Sequence, residues 1–175
     1  MKVIICGAGK VGTSIAKHLV SQNNDVTVID DSAENIQRIT DHYDVHGVVG
    51  VASHPDRLAE AGVRDAELLI AVTESDEVNM VACQVSHTIF NTPVKIARIR
   101  GKSYLDPAFG ELYGEENLPI DHIISPEAEL SAAASPFYYL QNAAVPRRQN
   151  HHDRSAGCRD ALAAQARAAR TGSTR

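Results

Sequence analysis

Short apolar runs alternate with helix-patterned segments from the second residue onward, and this alternation constrains the fold more than anything else in the chain. "KVIIC" (Lys2–Cys6) reads as a buried strand, and residues 11–20 follow as a helix with Ile15, Ala16, Leu19 and Val20 on one face. "DVTVID" (Asp25–Asp30) is a second strand. The helix after it places Ile36, Ile39 and Tyr43 at helical spacing, with Ser32 as its N-cap. "VHGVVG" (45–50) is a third strand, and the next helix opens with Ser53 as N-cap and Pro55 in its first turn. "AELLIAVT" (66–73), the most apolar run, reads as a central strand. The longest helix follows, with a face of Val78, Val81, Ala82, Val85 and Ile89. "VKIARIR" (94–100) is a fifth strand, 104–113 a weaker helix, and "DHIIS" (121–125) a short sixth strand. Strands apolar along their whole length, alternating strictly with helices, imply an α/β fold with a doubly wound parallel sheet covered on both faces.

The first strand-to-helix connection carries Gly7, Gly9 and Gly12 in the spacing G-x-G-x-x-G. In that pattern the first glycine makes the tight turn, the second lets backbone approach a pyrophosphate, and the third lets helix and strand pack closely. The helix N-terminus behind it offers free N–H groups and the positive end of a dipole to phosphates. Asp30 ends the second strand, where its carboxylate would accept from ribose hydroxyls and repel a 2′-phosphate, favouring NAD(H) over NADP(H). The alternative makes Asp30, like Asp31, a carboxylate that caps the following helix. Lys10 lies within the loop and either adds charge near the phosphates or points to water. Thr73 and Glu74 stand at the carboxyl edge of the fourth strand, the ligand-binding edge of open α/β sheets, and "TESDE" also suits a capped helix start. Arg98 and Arg100 alternate on the fifth strand, and a cation on so apolar a strand calls for an anionic partner.

Charge and composition narrow the function. Residues 1–130 hold 10 Lys and Arg against 20 Asp and Glu, a net of −10, whereas residues 131–175 hold seven Arg, no Lys and two Asp, a net of +5. The acidic body argues against a nucleic-acid surface, which needs a basic stripe. Cys6, Cys83 and Cys158 are odd in number and far apart, so they form no disulfide framework; Cys6 and Cys83 read as buried thiols of a reducing compartment. No apolar run approaches the roughly 20 residues that span a bilayer, and the four-residue run before the glycines is unlike a signal peptide. The expected location is the cytoplasm. The histidines of the body have no metal-ligand spacing, His151, His152 and Cys158 fall in a compositionally biased segment, and no residue stands in a catalytic nucleophile context.

Taken together, "GAGKVG", "VTVID", "GVASHPDRLAEAG", "AVTESDEVNMVACQVSHTIFNTP" and "KIARIR…IDHIISPE" resemble the N-terminal domain of the regulator-of-potassium-conductance family (RCK, or KTN, in its TrkA-N form) over about residues 1–130. The resemblance implies a Rossmann domain that senses NAD(H), or ATP or ADP in the same site, without reacting with it. It also implies a homo-oligomer lying peripherally on the inner face of the cell membrane, where it gates a Trk-type potassium-translocating membrane subunit. Carried over, the family's nucleotide contacts fall on Gly7, Ala8, Gly9, Lys10, Val11, Asp30, Thr73, Glu74 and Arg98. Relatives often have Gln at the position of Lys10. An NAD-dependent dehydrogenase is the competing reading, but it needs a substrate domain with an acid or base over the nicotinamide, and the sequence after residue 130 offers neither. A truncated, inactive fragment of the regulator is the third.

Ser125 caps a helix start with Pro126 at its first position, after which helical periodicity stops. Twelve of residues 131–175 are Ala and seven Arg, a bias that out-of-frame reading of GC-rich DNA would produce. A segment with no sustained apolar face buries too little apolar area to offset its chain entropy and is expected to be a disordered tail. Limited proteolysis should therefore trim the chain to a stable core ending between about residues 125 and 140, the margin being that of boundaries read from sequence. A chain protected to Arg175 would contradict this.

Overall fold

The computed structural model describes residues 1–113 and 117–125. They form the expected α/β alternation: β1 (Lys2–Cys6), α1 (Lys10–Ser21), β2 (Asp25–Asp30), α2 (Ala33–His42), β3 (His46–Val49), α3 (Pro55–Glu60), β4 (Leu68–Ala71), α4 (Asp76–Thr88), β5 (Val94–Arg98) and β6 (His122–Ile124). Short 3-10 turns cover Val63–Asp65 and Pro107–Leu112. The six strands make one parallel sheet in the order β3-β2-β1-β4-β5-β6, so β1 and β4 are central. The chain order reverses between β1 and β4, which creates a crevice at the carboxyl edge there.

Alternate residues of each strand feed two cores. Val3, Ile5, Val28, Leu68 and Ile70 point to one face, against Ile15 and Leu19 of α1 and Ile36 and Ile39 of α2. Ile4, Cys6, Ile29, Leu69 and Ala71 point to the other, against Leu58 of α3 and Met80 and Cys83 of α4. Both faces are covered, which is why the strands are apolar throughout rather than alternating. One charge is buried among them. Lys95 is 4% exposed, and its ammonium donates to the Thr92 and Pro93 carbonyls at 3.2 Å and pairs with Asp121 Oδ2 at 3.0 Å. Asp121 Oδ2 also accepts from the Lys95 N–H at 2.6 Å, so one carboxylate fixes the start of β6 to β5.

Several local expectations shift. The α4 face is not the valine stripe: Val81 and Ile89 are 47% and 49% exposed, Val78 and Val85 half-buried. The buried positions are Asp76, Asn79, Met80, Ala82, Cys83 and Ser86. Small side chains let the helix lie close to the sheet, and Asp76 and Asn79 find hydrogen-bond partners at the exits of β4 and β5. The 104–113 helix is a 3-10 turn over Pro107–Leu112 with no buried residue, started by Asp106, whose carboxylate accepts the Ala108 N–H at 2.9 Å. The N-cap of α3 is His54 rather than Ser53, with Pro55 first in the helix. Ser32 caps α2 as expected, accepting the Asn35 N–H at 3.3 Å. β5 stops at Arg98, so Arg100 follows the strand instead of alternating on it. The domain limit at residue 130, the Pro126 helix start and the 131–175 tail lie outside the described residues.

Cys6 and Cys83 are buried and unbridged. Burial pushes the Cys6 thiol up to about 12 and raises that of Cys83 as well. At pH 8 a thiol of pKa near 12 is thiolate in about one part in ten thousand, and only the thiolate attacks. A Cys158→Ser chain should therefore show no thiol reactive to Ellman's reagent while folded and two after unfolding. Fast labelling of the folded chain would contradict the packing described.

Candidate functional site

The glycine turn is held by contacts that leave little choice of residue at two of its three positions. Gly7 has φ +107°, and its N–H donates to the Ile29 carbonyl at 2.7 Å. A Cβ there would stand 3.0 Å from both the Thr73 nitrogen and the Val72 oxygen. A Cβ on Gly12 would lie 1.8 Å from the Gly7 oxygen, so α1 packs on the turn through bare backbone. Gly9 is different. It is the N-cap of α1 with ordinary backbone angles (φ −68°, ψ −170°), and a Cβ built on it meets nothing within 4 Å. Packing does not explain this glycine, whereas a ligand lying against the backbone would. No side chain caps α1, which leaves its first-turn N–H groups without a side-chain acceptor beside Gly9.

Asp30 makes the contacts of a helix-start carboxylate and also stands in the wall of a cavity. Its Oδ2 accepts the Ala8 N–H at 2.6 Å, and its Oδ1 accepts the Ser32 N–H and the Asn35 amide, each at 3.0 Å. The carboxylate thus ties the glycine turn to the start of α2 while remaining in the wall of a cavity of about 350 Å³. That cavity occupies the carboxyl edge of the sheet. Of the residues expected in the site, Gly7, Gly9, Asp30, Thr73 and Glu74 line it. Ala8 is buried, with its N–H committed to Asp30. Lys10 is exposed, Val11 half-buried and Gly12 buried beneath the turn, none of them in the lining.

Arg98 is half-buried at the end of β5, outside the lining, and its side chain makes no hydrogen bond or ion pair among the described residues. Arg100 has found the anionic partner expected of such a cation: its Nε is 3.7 Å from Asp76 Oδ1, and its guanidinium donates to the Glu74 carbonyl. Asp76 Oδ2 accepts the N–H groups of Arg100 and Gly101 at 2.8 and 2.7 Å. At the same helix start Glu77 is held below the usual carboxylate range by its own backbone N–H, with the Ser75 and Tyr104 hydroxyls adding to the effect.

The lining also includes Asn35, Gly50, Val51 and Ala52, which sequence reasoning missed. Three of these follow β3, on the carboxyl edge that had pointed to Thr73 and Glu74; the same rule applied to the third strand would have found them. Asn35 carried no comparable signal, because it reads as an ordinary first-turn residue of α2.

A six-stranded doubly wound sheet with a glycine turn at its switch point and an acidic residue closing β2 defines a Rossmann domain. Residues 3–126 match the TrkA-N domain model, and the chain belongs to that family. It is 56% identical over 130 residues to the Trk system potassium uptake protein TrkA of Azorhizobium caulinodans, a stretch covering 74% of this chain and 28% of that protein. The chain therefore matches little more than a quarter of that curated relative's length. Its fold is shared by the TrkA-N domain of the inner membrane protein ybaL from Escherichia coli (TM-score 0.64, 17% identity, 75% of this chain and 92% of that one). It is shared also by a GsuK channel bound to NAD (TM-score 0.58, 21% identity, 74% and 22%).

The glycines should separate by substitution. Gly12→Ala forces a Cβ into a carbonyl oxygen and should cost about 3 kcal/mol or more, at or beyond the upper end of ordinary overpacking. Gly9→Ala should cost about 1 kcal/mol or less, since it loses only the N-cap preference for glycine. Chemical denaturation of the two variants measures the difference; equal losses would mean that Gly9 is a packing glycine too.

Proposed function

We propose that this chain is the nucleotide-sensing part of a cytoplasmic regulatory subunit of a Trk-type potassium uptake system. It binds NAD(H), with ADP and ATP as ligands of the same cavity, and transmits that occupancy to a potassium-translocating membrane subunit. The observation that carries this reading is the open side of Gly9, facing a cavity bounded by Asp30 and the uncapped start of α1. Free N–H groups and the helix dipole favour phosphate there. Asp30 and Asn35 suit ribose hydroxyls, and Val51 and Ala52 offer an apolar surface for adenine. About 350 Å³ lies near the lower end of small-molecule sites, which run from about 300 to 1,000 Å³, and has room for one mononucleotide half. The wall is built from the exits of β1, β2, β3 and β4, so the adenosine half belongs inside and the rest of a dinucleotide extends toward β5.

The TrkA relative and the NAD-bound channel sharing the fold support a sensing role over catalysis. The titratable groups lining the cavity are Asp30, Asp31 and Glu74, acceptors suited to hydroxyls. Exposed Val81 and Ile89 on α4 support assembly with further copies of the chain at the membrane's inner face.

Calorimetry on the full chain tests the reading. NADH and ADP should bind and stabilise the folded state, as any ligand of the native form does. Asp30→Ala should weaken NADH roughly tenfold, about one charge-assisted hydrogen bond, and narrow the preference over NADPH. Incubation with NAD(H) and alcohols, hydroxy acids or carbonyls should leave the nicotinamide absorbance unchanged. Absence of binding, selectivity indifferent to Asp30, or substrate-dependent turnover would each overturn the proposal.

A further inference from the structure

We infer that Asn79 is a positioning residue of the nucleotide site, holding Thr73 and the end of β5 that bears Arg98 in one frame and so setting affinity for the part of a ligand beyond its adenosine half. This inference rests on the nucleotide reading above. Asn79 lies in the second turn of α4, is 0% exposed, and is surrounded by the apolar core of that face. Every hydrogen-bonding capacity of its amide is used. Its Oδ1 accepts the Thr73 N–H at 2.9 Å and the Thr73 hydroxyl at 2.7 Å. Its Nδ2 donates to the Arg98 carbonyl at 2.9 Å and to the Thr73 carbonyl at 3.3 Å. The orientation is not ambiguous. A flipped amide would set its NH2 against the Thr73 N–H and its oxygen against the Arg98 carbonyl, donor on donor and acceptor on acceptor.

The place where this happens gives it meaning. β4 and β5 are paired up to Ala71 and Ala97, and the ladder stops there. Thr73, in the cavity wall, and Arg98 lie just past that last pair, where no strand pairing fixes one relative to the other. The Asn79 amide does what the ladder no longer does. A ligand whose adenosine half sits between Asp30 and Gly9 reaches the β4–β5 exits only with its further phosphate and second nucleoside, and there the half-buried Arg98 guanidinium has no protein partner among the described residues. Its position depends on the Arg98 backbone, which β6 holds from one side through the pairing with Ile124 and Asn79 holds from the β4 side. A purely packing role for Asn79 makes a different prediction, since lost packing would weaken every ligand alike.

The test compares AMP, which contains only the adenosine half and one phosphate, with NADH. Both are titrated calorimetrically into the wild-type, Asn79→Ala and Asn79→Asp full chains, and amide exchange is followed by NMR without ligand. In Asn79→Ala the NADH affinity should fall about tenfold or more while AMP changes less than roughly threefold. The Thr73 amide should exchange faster, and the Val72 amide, bonded to the Cys6 carbonyl at 2.8 Å, should stay protected. Asn79→Asp keeps the shape and the acceptor for Thr73 but loses the donor to Arg98. It serves if Asn79→Ala does not fold: Thr73 should remain protected and the ratio of NADH to AMP affinity should still drop. Equal loss for both ligands, unchanged NADH binding, or a wild-type chain that binds AMP but not NADH would overturn the inference. A wild-type chain that binds neither would overturn the nucleotide reading itself, and this inference with it.

Discussion

The contact between Gly12 and the Gly7 carbonyl sets the distance between α1 and the central strands, and the site depends on that distance. With a Cβ 1.8 Å from a carbonyl oxygen, no other residue allows the helix to start where it does. That start brings the first turn of α1 level with the exits of β1, β2 and β4, so its unsatisfied N–H groups open onto the crevice instead of onto bulk water. The two apolar cores then hold the arrangement rigid: Ile15 and Leu19 are pressed to the sheet on one face, while β1 and β4 are buried on both. A binding surface made of backbone needs this rigidity, because backbone groups cannot adjust as side chains can.

A second set of constraints is polar and sits on the β4–β5 side. Asp76, Asn79 and Ser75 at the start of α4 take N–H groups from Arg100, Gly101, Thr73 and Val78. Such groups in a helix interface would be costly unless satisfied, and here they replace apolar contacts as the means of docking the helix. Val81 and Ile89 are consequently turned outward, while Val78 and Val85 pack at the edge of the core. Satisfied polar contacts are directional where apolar packing is not, so α4 is fixed in rotation as well as in position.

These two kinds of constraint explain what could be read in the chain beforehand. Strand runs, strand direction and the glycine turn were legible because a doubly covered parallel sheet demands continuous apolar segments and Gly7 and Gly12 obey local sterics. The buried face of α4 was not, since a pattern count weighs Val81 and Ile89 above Asn79, whose partner Arg98 is 19 residues away and visible only in three dimensions. The segment that forms the 3-10 turn at Pro107–Leu112 looks like a helix in sequence for a related reason: its apolar residues Phe109 and Leu112 have helical spacing but are 59% and 38% exposed. Within the site, Asp30 was legible by register. Its simultaneous hold on Ala8 and Asn35 was not, because nothing in the spacing distinguishes a carboxylate that serves a ligand from one that serves the fold.

That double service has a consequence for how a ribose would be held under the proposed function. A carboxylate offers about four acceptor positions. In Asp30 one on Oδ2 goes to Ala8 and two on Oδ1 go to Ser32 and Asn35, which leaves room for one further donor, on Oδ2. A ribose diol brings two. One hydroxyl can join Oδ2 without disturbing the turn, and the second is accommodated only if the Asn35 amide lets go of Oδ1 and turns to the ribose. Ser32 is the less free to yield, since its N–H is main chain and its hydroxyl caps α2. Ribose recognition would then cost α2 a side-chain tie while the backbone ties to Ala8 and Ser32 persist. The side chain that moves belongs to the first turn of α2, so occupancy of the cavity would be registered first on that helix, on the opposite side of the crevice from Asn79.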